Sequence, residues 1–433
     1  MTPARPLKVA LLGCGVVGSQ VARQMLEGGD EFQARVGRRL DLVGIAVRNL
    51  AKDRPGIDAA LLTDDAAELV ARKGIDLVIE VMGGVEPARS LILAAMAGGA
   101  SVITANKQLL AQDGPTLYEA AAEAGVDLYY EAAVAGAIPI IRPLRESLVG
   151  DEVTAVKGIV NGTTNFILDK MTTEGSSFDE VLAEAQRLGY AEDDPTADVE
   201  GLDAAAKAAI LASLAFHSRV NLDDVDCEGI TTVTADDVAT AAELGYVIKL
   251  LARCALAPDN SISVGVHPTL VPANHPLANV SGAFNAVFIE SRHAGQLMFM
   301  GPGAGGAPTA SAVLGDVITA ARNRVRGVAG PGESSYSARP VTPRNLVPSR
   351  FYVALSVDDE PGVLAKIAAS FARYQVSIQA VRQESEPGRP LGQGARLAIL
   401  THAARVGDMK AAVEDLAAMP EVTGGITLMR VEG

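Results

Sequence analysis

The sequence predicts an α/β protein with three parts: a doubly wound parallel sheet at the N-terminus, a mixed α+β domain in the middle and a small βαββαβ module at the C-terminus. Three observations lead there. Between Leu7 and about Tyr130, short apolar runs alternate with longer helical patterns, which is the signature of a parallel sheet covered by helices on both faces. Beyond Gly150 that rhythm gives way to longer helices followed by β-rich stretches. A segment holding Pro331, Pro340, Pro343 and Pro348 then interrupts both periodicities before a final, regular series begins.

Each element follows from its own pattern. The runs Leu7–Leu12, Leu40–Val47, Leu77–Val81, Ser101–Thr104 and Val126–Tyr130 read as strands, and Glu86–Ala97 and Thr116–Ala124 carry Ala, Leu and Glu at helical spacing. In the middle region Val153–Val160 is strand-like, Phe166–Met171 and Phe178–Leu188 are helical, and an Ala-rich helix runs from about Gly201 to Phe216. Ile262–His267, Ala286–Ser291 and Gln296–Met300 are β-rich. After the Pro-rich segment come strand Phe351–Val357, helix Pro361–Tyr374, strands Val376–Arg382 and Ala395–Thr401, helix Val406–Ala417 and strand Val422–Val431. That order is the ferredoxin-like split. The predicted divisions are 1–150, 151–327, a linker over 328–350, and 351–433.

Composition narrows the function. At 433 residues the chain exceeds one ordinary core, and 48% hydrophobic residues give it ample material to bury. The formal charge of −15 and the lack of any Lys/Arg run exclude a nucleic-acid partner. No apolar stretch reaches the ~18 residues of a membrane span. Cys14, Cys227 and Cys254 form neither a CxxC pair nor an even-numbered framework, which points to the cytoplasm. Arg5 and Lys8 ahead of Val9–Leu12 and Cys14 mimic an export signal, but the apolar run is short and leads straight into a glycine motif.

That motif is Gly13-Cys14-Gly15-Val16-Val17-Gly18, between strand Leu7–Leu12 and a helix over Val16–Leu26. In this context a GxGxxG pattern is a dinucleotide loop of the Rossmann type. Gly13 permits the turn, Gly15 the approach of a pyrophosphate, Gly18 close helix packing, and the helix N-terminus faces the phosphates. An acid at the end of the second strand would favour NAD. Here the strand ends at Val47-Arg48, and Arg48 with Lys52 favours the 2′-phosphate of NADP, NAD remaining open. Both cations are also compatible with a merely solvated surface.

The chemistry is read from Gly189 to Lys207. Between Leu202 and Phe216 the only charges are Asp203 and Lys207, one turn apart in a helix apolar nearly all round. Such a helix belongs inside, where an ion pair without a task is expensive. Hydride delivery to an aldehyde builds negative charge on the carbonyl oxygen, and a lysine tuned by burial and a neighbouring carboxylate can supply the proton. Lys107, in Thr104-Ala105-Asn106-Lys107 past a strand's carboxyl end, is either a second reactive lysine or a loop residue in solvent.

Taken together, the glycine loop, Ala105-Asn106-Lys107, Asn161-Gly162-Thr163-Thr164-Asn165 and Gly189–Lys207 resemble homoserine dehydrogenases over essentially the whole chain. The resemblance implies reversible reduction of L-aspartate 4-semialdehyde to L-homoserine with NAD(P)H, on the route to threonine, methionine and isoleucine. It implies Lys207 as proton donor, Lys107 as a second catalytic or cofactor-contacting lysine beside Thr104, and Asp203 as the partner orienting the reacting end. Glu192 and Asp198 become substrate ligands, and Asn161, Gly162 and Thr163 line the site where two domains meet. The resemblance further implies a sodium ion on Glu131 and the carbonyls of Val134, Gly136 and Ile138, a hard cation on oxygen ligands. A homodimer or homotetramer is expected.

The C-terminal module resembles ACT domains, with Asp358-Asp359-Glu360-Pro361-Gly362-Val363-Leu364 joining strand to helix. Free N–H groups at a helix start receive carboxylates, so Asp359, Gly362 and Val363 become candidate ligands of an amino-acid effector, threonine by resemblance. The alternative is a capped helix in a plain dimerisation module. Walker, HExxH and GxSxG signatures are absent. His217 reads as a packed or capping residue. Aspartate-semialdehyde dehydrogenase is disfavoured for want of a cysteine with a base beside it in sequence. Another amino-acid dehydrogenase of this fold, or a non-catalytic amino-acid sensor, is the rival, and the Lys107, Glu192, Asp203 and Lys207 set argues against the sensor.

Overall fold

The computed structural model describes residues 5–385 and 394–433. In its first part six parallel strands, β1 (Leu7–Leu12), β2 (Leu40–Ala46), β3 (Leu62–Thr63), β4 (Ile75–Glu80), β5 (Ser101–Thr104) and β6 (Leu128–Tyr129), lie in the order β3-β2-β1-β4-β5-β6. Strand order reverses between β1 and β4, and the carboxyl ends there form the crevice in which such sheets bind ligands. Both strands are almost wholly buried, as their continuous apolar runs require of a sheet covered on both faces. The connecting helices are α1 (Val16–Glu27), α2 (Gly29–Val36), α3 (Ala66–Ala71), α4 (Ala88–Ala97) and α5 (Lys107–Ala124). The sequence pattern missed β3, α2 and α3, each too short for a periodicity to show.

The chain continues through β7 (Val153–Ile159), α6 (Gly162–Glu174), α7 (Phe178–Leu188), α8 (Thr196–Val199), α9 (Leu202–Phe216), β8 (Asp226–Cys227), α10 (Ala235–Glu243), β9 (Tyr246–Leu256), β10 (Ile262–Pro272), β11 (Phe284–Ser291), β12 (Gly295–Pro302) and α11 (Gly306–Arg326). Two compact units result, and neither is continuous in sequence. The first holds Met1–Val156, Ala206–Asp224 and Phe284–Ala338; the second holds Lys157–Ala205, Val225–Ala283 and Arg339–Gly433.

Helix α11 explains the return to the first unit. Its Ala310, Val313, Val317 and Ala320 join one core with Val21 and Met25 of α1. Gly306, Pro308, Gly315 and two threonines dilute its helix propensity, so the sequence pattern gave no sign of it, and burial of one face outweighs the deficit. Strand β9 was also missed: Tyr246–Leu256 is a nearly continuous apolar run without alternation.

Residues 328–347 hold no helix or strand beyond a 3-10 turn at Arg344–Leu346 and one isolated bridge, as the prolines predict. The segment is nevertheless fastened. In the first unit Gly330 N–H donates to Asp127, and the Arg145 guanidinium donates to the carbonyls of Pro331 and Gly332. In the second unit, Ile262 exchanges backbone bonds with Pro340 and Thr342.

The C-terminal module has β13 (Pro348–Val357), α12 (Val363–Arg373), β14 (Ile378–Ser385), β15 (Ala395–Thr401), β16 (Ala404–Arg405), α13 (Val406–Ala417) and β17 (Val422–Val431). Its four long strands run antiparallel in the order β17-β13-β15-β14, the predicted ferredoxin-like split. Helix α12 starts at Val363 rather than Pro361, because Gly362 takes a left-handed conformation (φ 100°) that a helix cannot include. The outer edge of β17 pairs in parallel with β10 through Thr269–Arg430 and Leu270–Val431, so the module's sheet runs on into β10 and β9.

Candidate active site

The dinucleotide loop sits at the carboxyl end of β1. Gly13 has φ 97°, and a Cβ there would lie 2.8 Å from the Val81 carbonyl oxygen; at Gly18 it would lie 2.2 Å from the carbonyl of Gly13. Both positions therefore exclude any side chain. Gly15, the residue before α1, faces open space, which suits the approach of a pyrophosphate. Cys14 turns its thiol inward, 3.5 Å from the Ser19 hydroxyl, and Val16 is 76% exposed. Val17 is half-buried. The start of α11 packs on the same turn: a Cβ on Gly306 would come within 3.1 Å of the Val16 carbonyl. The run Gly301-Pro302-Gly303-Ala304-Gly305-Gly306, a glycine-rich turn ahead of a helix, was the overlooked signal. Arg48 and Lys52 are exposed just past β2, and no ion pair of either is found among the described residues.

A buried acid shapes the next turns. Glu80, fully buried at the end of β4, accepts hydrogen bonds from the N–H groups of Met82 and Gly83 and from the Thr104 hydroxyl at 2.6 Å. Thr104 also accepts from Asn106 N–H, so its side chain is committed to holding the β5–α5 turn. Asn106 caps α5 through Leu109 N–H and donates to the Gly84 carbonyl. Lys107 is consequently the first residue of a capped helix rather than a loop residue. The sequence pattern showed the helix only from Thr116 on, because it is kinked at Asp113 and carries Gly114 and Pro115.

Glu131 is held by donors on all sides of its carboxylate. Its buried carboxylate accepts from the N–H groups of Ile140, Ile141 and Arg142 and from the Arg142 guanidinium, at 2.6–3.1 Å. Those four donors fill the roughly four acceptor sites of a carboxylate. The Glu131 side chain thus does not fit the part of a sodium ligand. Beside it, Asp316 of α11 accepts from Glu131 N–H at 2.7 Å, and burial pushes its carboxyl up to about 7 against the pull of Arg142. Val134, Gly136 and Ile138 are in a tight turn where Ala135 and Gly136 both have φ 57°. No cluster of His, Cys, Asp or Glu able to hold a metal occurs among the described residues.

In the second unit, Asn161 organises two acids. Its Oδ1 accepts from Thr164 N–H as the cap of α6, which turns its Nδ2 toward the carboxylates of Asp198 at 2.6 Å and Asp203 at 3.0 Å. Thr163 donates to the Tyr190 carbonyl, and Tyr190 packs its ring on Phe166, anchoring the 189–198 loop to α6. Gly162 opens that helix. Glu192 is exposed, and its carbonyl accepts from Gln186. Asp203 lies in the first turn of α9, in the second unit, and Lys207, 7% exposed and one turn further along the helix, belongs to the stretch of the first unit that starts at Ala206. Ala204–Ala212 is continuously buried, as its composition requires. A lysine absent from the sequence reading, Lys249 of β9, is fully buried and donates to Asn165 Oδ1 and the Val280 carbonyl; burial brings its ammonium down to about 8.

Remaining candidates settle simply. His217 terminates α9 in a left-handed conformation, stacks on Tyr336 at 4.5 Å and presents its carbonyl to Tyr336 and Ser337, a capping role. Burial pushes the thiols of Cys227 and Cys254 up to about 11 and about 12, so neither is a nucleophile at neutral pH. At α12, Asp359 accepts from Gln383 and Val363 N–H is engaged by the Glu360 carbonyl. No helix among the described residues is long and apolar enough to cross a membrane.

Comparison with known proteins agrees with this arrangement. A family profile described as homoserine dehydrogenase matches residues 139–318, its NAD-binding domain residues 13–131, and an ACT domain residues 351–421. The homoserine dehydrogenase of Corynebacterium glutamicum is 51% identical over 99% of this chain and 96% of its own length. The crystal structure of a homoserine dehydrogenase from Thiobacillus denitrificans superposes with a TM-score of 0.93 at 40% identity, covering 99% of this chain and 98% of that one. A hyperthermophilic archaeal homoserine dehydrogenase in complex with NADPH matches 76% of this chain and 100% of its own, with a TM-score of 0.64 at 28% identity.

Proposed function

This chain belongs to the homoserine dehydrogenase family and is an NAD(P)-dependent oxidoreductase, and from that premise we propose that it reversibly reduces L-aspartate 4-semialdehyde to L-homoserine. The observation that carries the reading is Lys207, a buried lysine one turn beyond Asp203 on a helix with no other charge. Bound nicotinamide supplies the hydride. Lys207 then gives a proton to the carbonyl oxygen as negative charge grows on it, and takes it back in the reverse direction. Asp203 orients the reacting end. Asp198, whose carboxylate shares the Asn161 amide with Asp203, receives the substrate's ammonium together with Glu192. Lys107, at the start of α5, contacts the cofactor or the substrate carbonyl.

Open backbone at Gly15 and the N-terminus of α1 fit the pyrophosphate, while Arg48 and Lys52 favour the 2′-phosphate and hence NADPH. NADPH oxidation with the semialdehyde tests the assignment directly. Lys207→Ala should lose roughly 10²–10⁴ in rate while keeping its affinity for NADPH. An unaltered rate would remove Lys207 from the chemistry, and an inactive parent would favour the amino-acid sensor.

Threonine is the proposed effector of the ACT domain, its carboxylate received near Asp359, Gly362 and Val363. The expected outcome is a fall in NADPH oxidation as threonine is added. A rate unchanged at saturating threonine would overturn this. No step is assigned to sodium, because the Glu131 carboxylate is filled by N–H donors.

A further inference from the structure

In the second unit a pocket opens where β17 meets β10. Arg253, Arg344 and Arg430 line it together with Ser263 and Thr342, and Asp226 is its one carboxylate. Such a surface is unexpected in a chain whose net charge is −15. We propose that this pocket binds a small oxyanion, the phosphate or carboxylate group of a free metabolite.

Charge bookkeeping supports it. Asp226 serves Arg430 at 2.7 Å and faces Arg344 at 4.0 Å. Glu432 serves Lys157 at 2.7 Å, and its other oxygen lies 3.6 Å from Arg253, too far for a hydrogen bond. Glu228 and Lys410 also face this cluster. His267, bonded to Asp226, is held neutral by burial and by Arg430, and adds no charge. The lining itself sets three guanidinium groups against one carboxylate, and guanidinium forks match the oxygens of phosphate and carboxylate.

The geometry is built rather than incidental. Arg430 is 15% exposed, anchored by Asp226 and lying over the Phe351 ring. Arg344 is steadied by the Val225 carbonyl. The cavity volume is about 30 Å³, room for one small charged group and not for a dinucleotide. Because the walls come from β9, β10, β17 and the turn before β13, an occupant would tie the C-terminal module to β9 and β10.

The test is the thermal midpoint of the full chain titrated with sodium phosphate and, separately, with sodium succinate, against sodium chloride at equal ionic strength. A saturable rise of a few degrees with either oxyanion and none with chloride is expected. Phosphate alone identifies a phosphate ligand, succinate alone a carboxylate ligand, and both the shared chemistry. Arg253→Ala and Arg344→Ala, partly exposed and outside the reaction, should each abolish the rise and leave NADPH oxidation without added oxyanion unchanged. No rise, or a rise that survives in both variants and so belongs to the dinucleotide loop, would overturn the proposal.

Discussion

Asn161 shows how one side chain can carry two duties. It caps α6 through its oxygen, and that bond fixes which way the amide points, so its nitrogen is delivered to Asp198 and Asp203. Asn161→Ala should therefore lower stability by about 1 kcal/mol through the lost cap. It should also lower kcat/KM for the semialdehyde by roughly 10–100-fold, the worth of about 1.5–3 kcal/mol for hydrogen bonds to charged groups. Affinity for NADPH should not move. Steady-state kinetics with a fluorescence titration of NADPH checks this, and an unchanged kcat/KM would detach Asn161 from substrate binding. The hydrogen-bond coupling was not visible in sequence, because Asn161 lies 37 and 42 positions from its two acids and looked like one member of a conspicuous polar run.

At the scale of elements, the β1–loop–α1 unit was legible almost to the residue, since its glycines answer to local geometry. They do not answer alike. A Cβ at Gly18 meets backbone, and one at Gly15 meets nothing. Gly18→Ala should cost roughly 1–3 kcal/mol as overpacking and lower the thermal midpoint. Gly15→Ala should cost about 0.5 kcal/mol or less and raise the KM for NADPH. Paired melting curves and cofactor titrations would distinguish the two, and equal melting losses would mean that the loop is not closed as described. The first half of α5 and the whole of α11 were the opposite case. Their prolines and glycines argue locally against a helix, and packing on the sheet and on α1 overrides that.

At the scale of the whole molecule, stability should depend on pH through the joined sheet. His267 of β10 is held down to about 4 by burial, with Arg430 of β17 adding to the effect and Asp226 opposing it. Its folded value lies below its ordinary 6.5, so the folded state binds fewer protons than the unfolded one between these limits. The stabilisation is full above about 6.5 and is lost as pH falls toward 4. Asp226, held to about 2 mainly by its bond to His267, extends the loss below its ordinary 3.8. Urea midpoints measured from pH 7 to pH 4 should begin to fall near pH 6.5 and go on falling toward pH 4, and His267→Gln should flatten that slope. A parallel slope in the variant would place the proton uptake elsewhere.

The sequence by itself determined the kind of protein this is. Glycine spacing, strand and helix periodicity and a charged pair in an apolar helix are all set within a few residues of one another. So were the Rossmann-type sheet, the burial of α9 and the C-terminal split. Tertiary structure alone decided how separated segments combine: the return of α11 to the first unit, the pairing of β17 with β10, the Asn161 clamp and the enclosure of Glu131 by N–H donors. These rest on contacts between segments up to hundreds of positions apart, where burial and hydrogen-bond satisfaction are properties of the assembled surroundings rather than of any local run of residues.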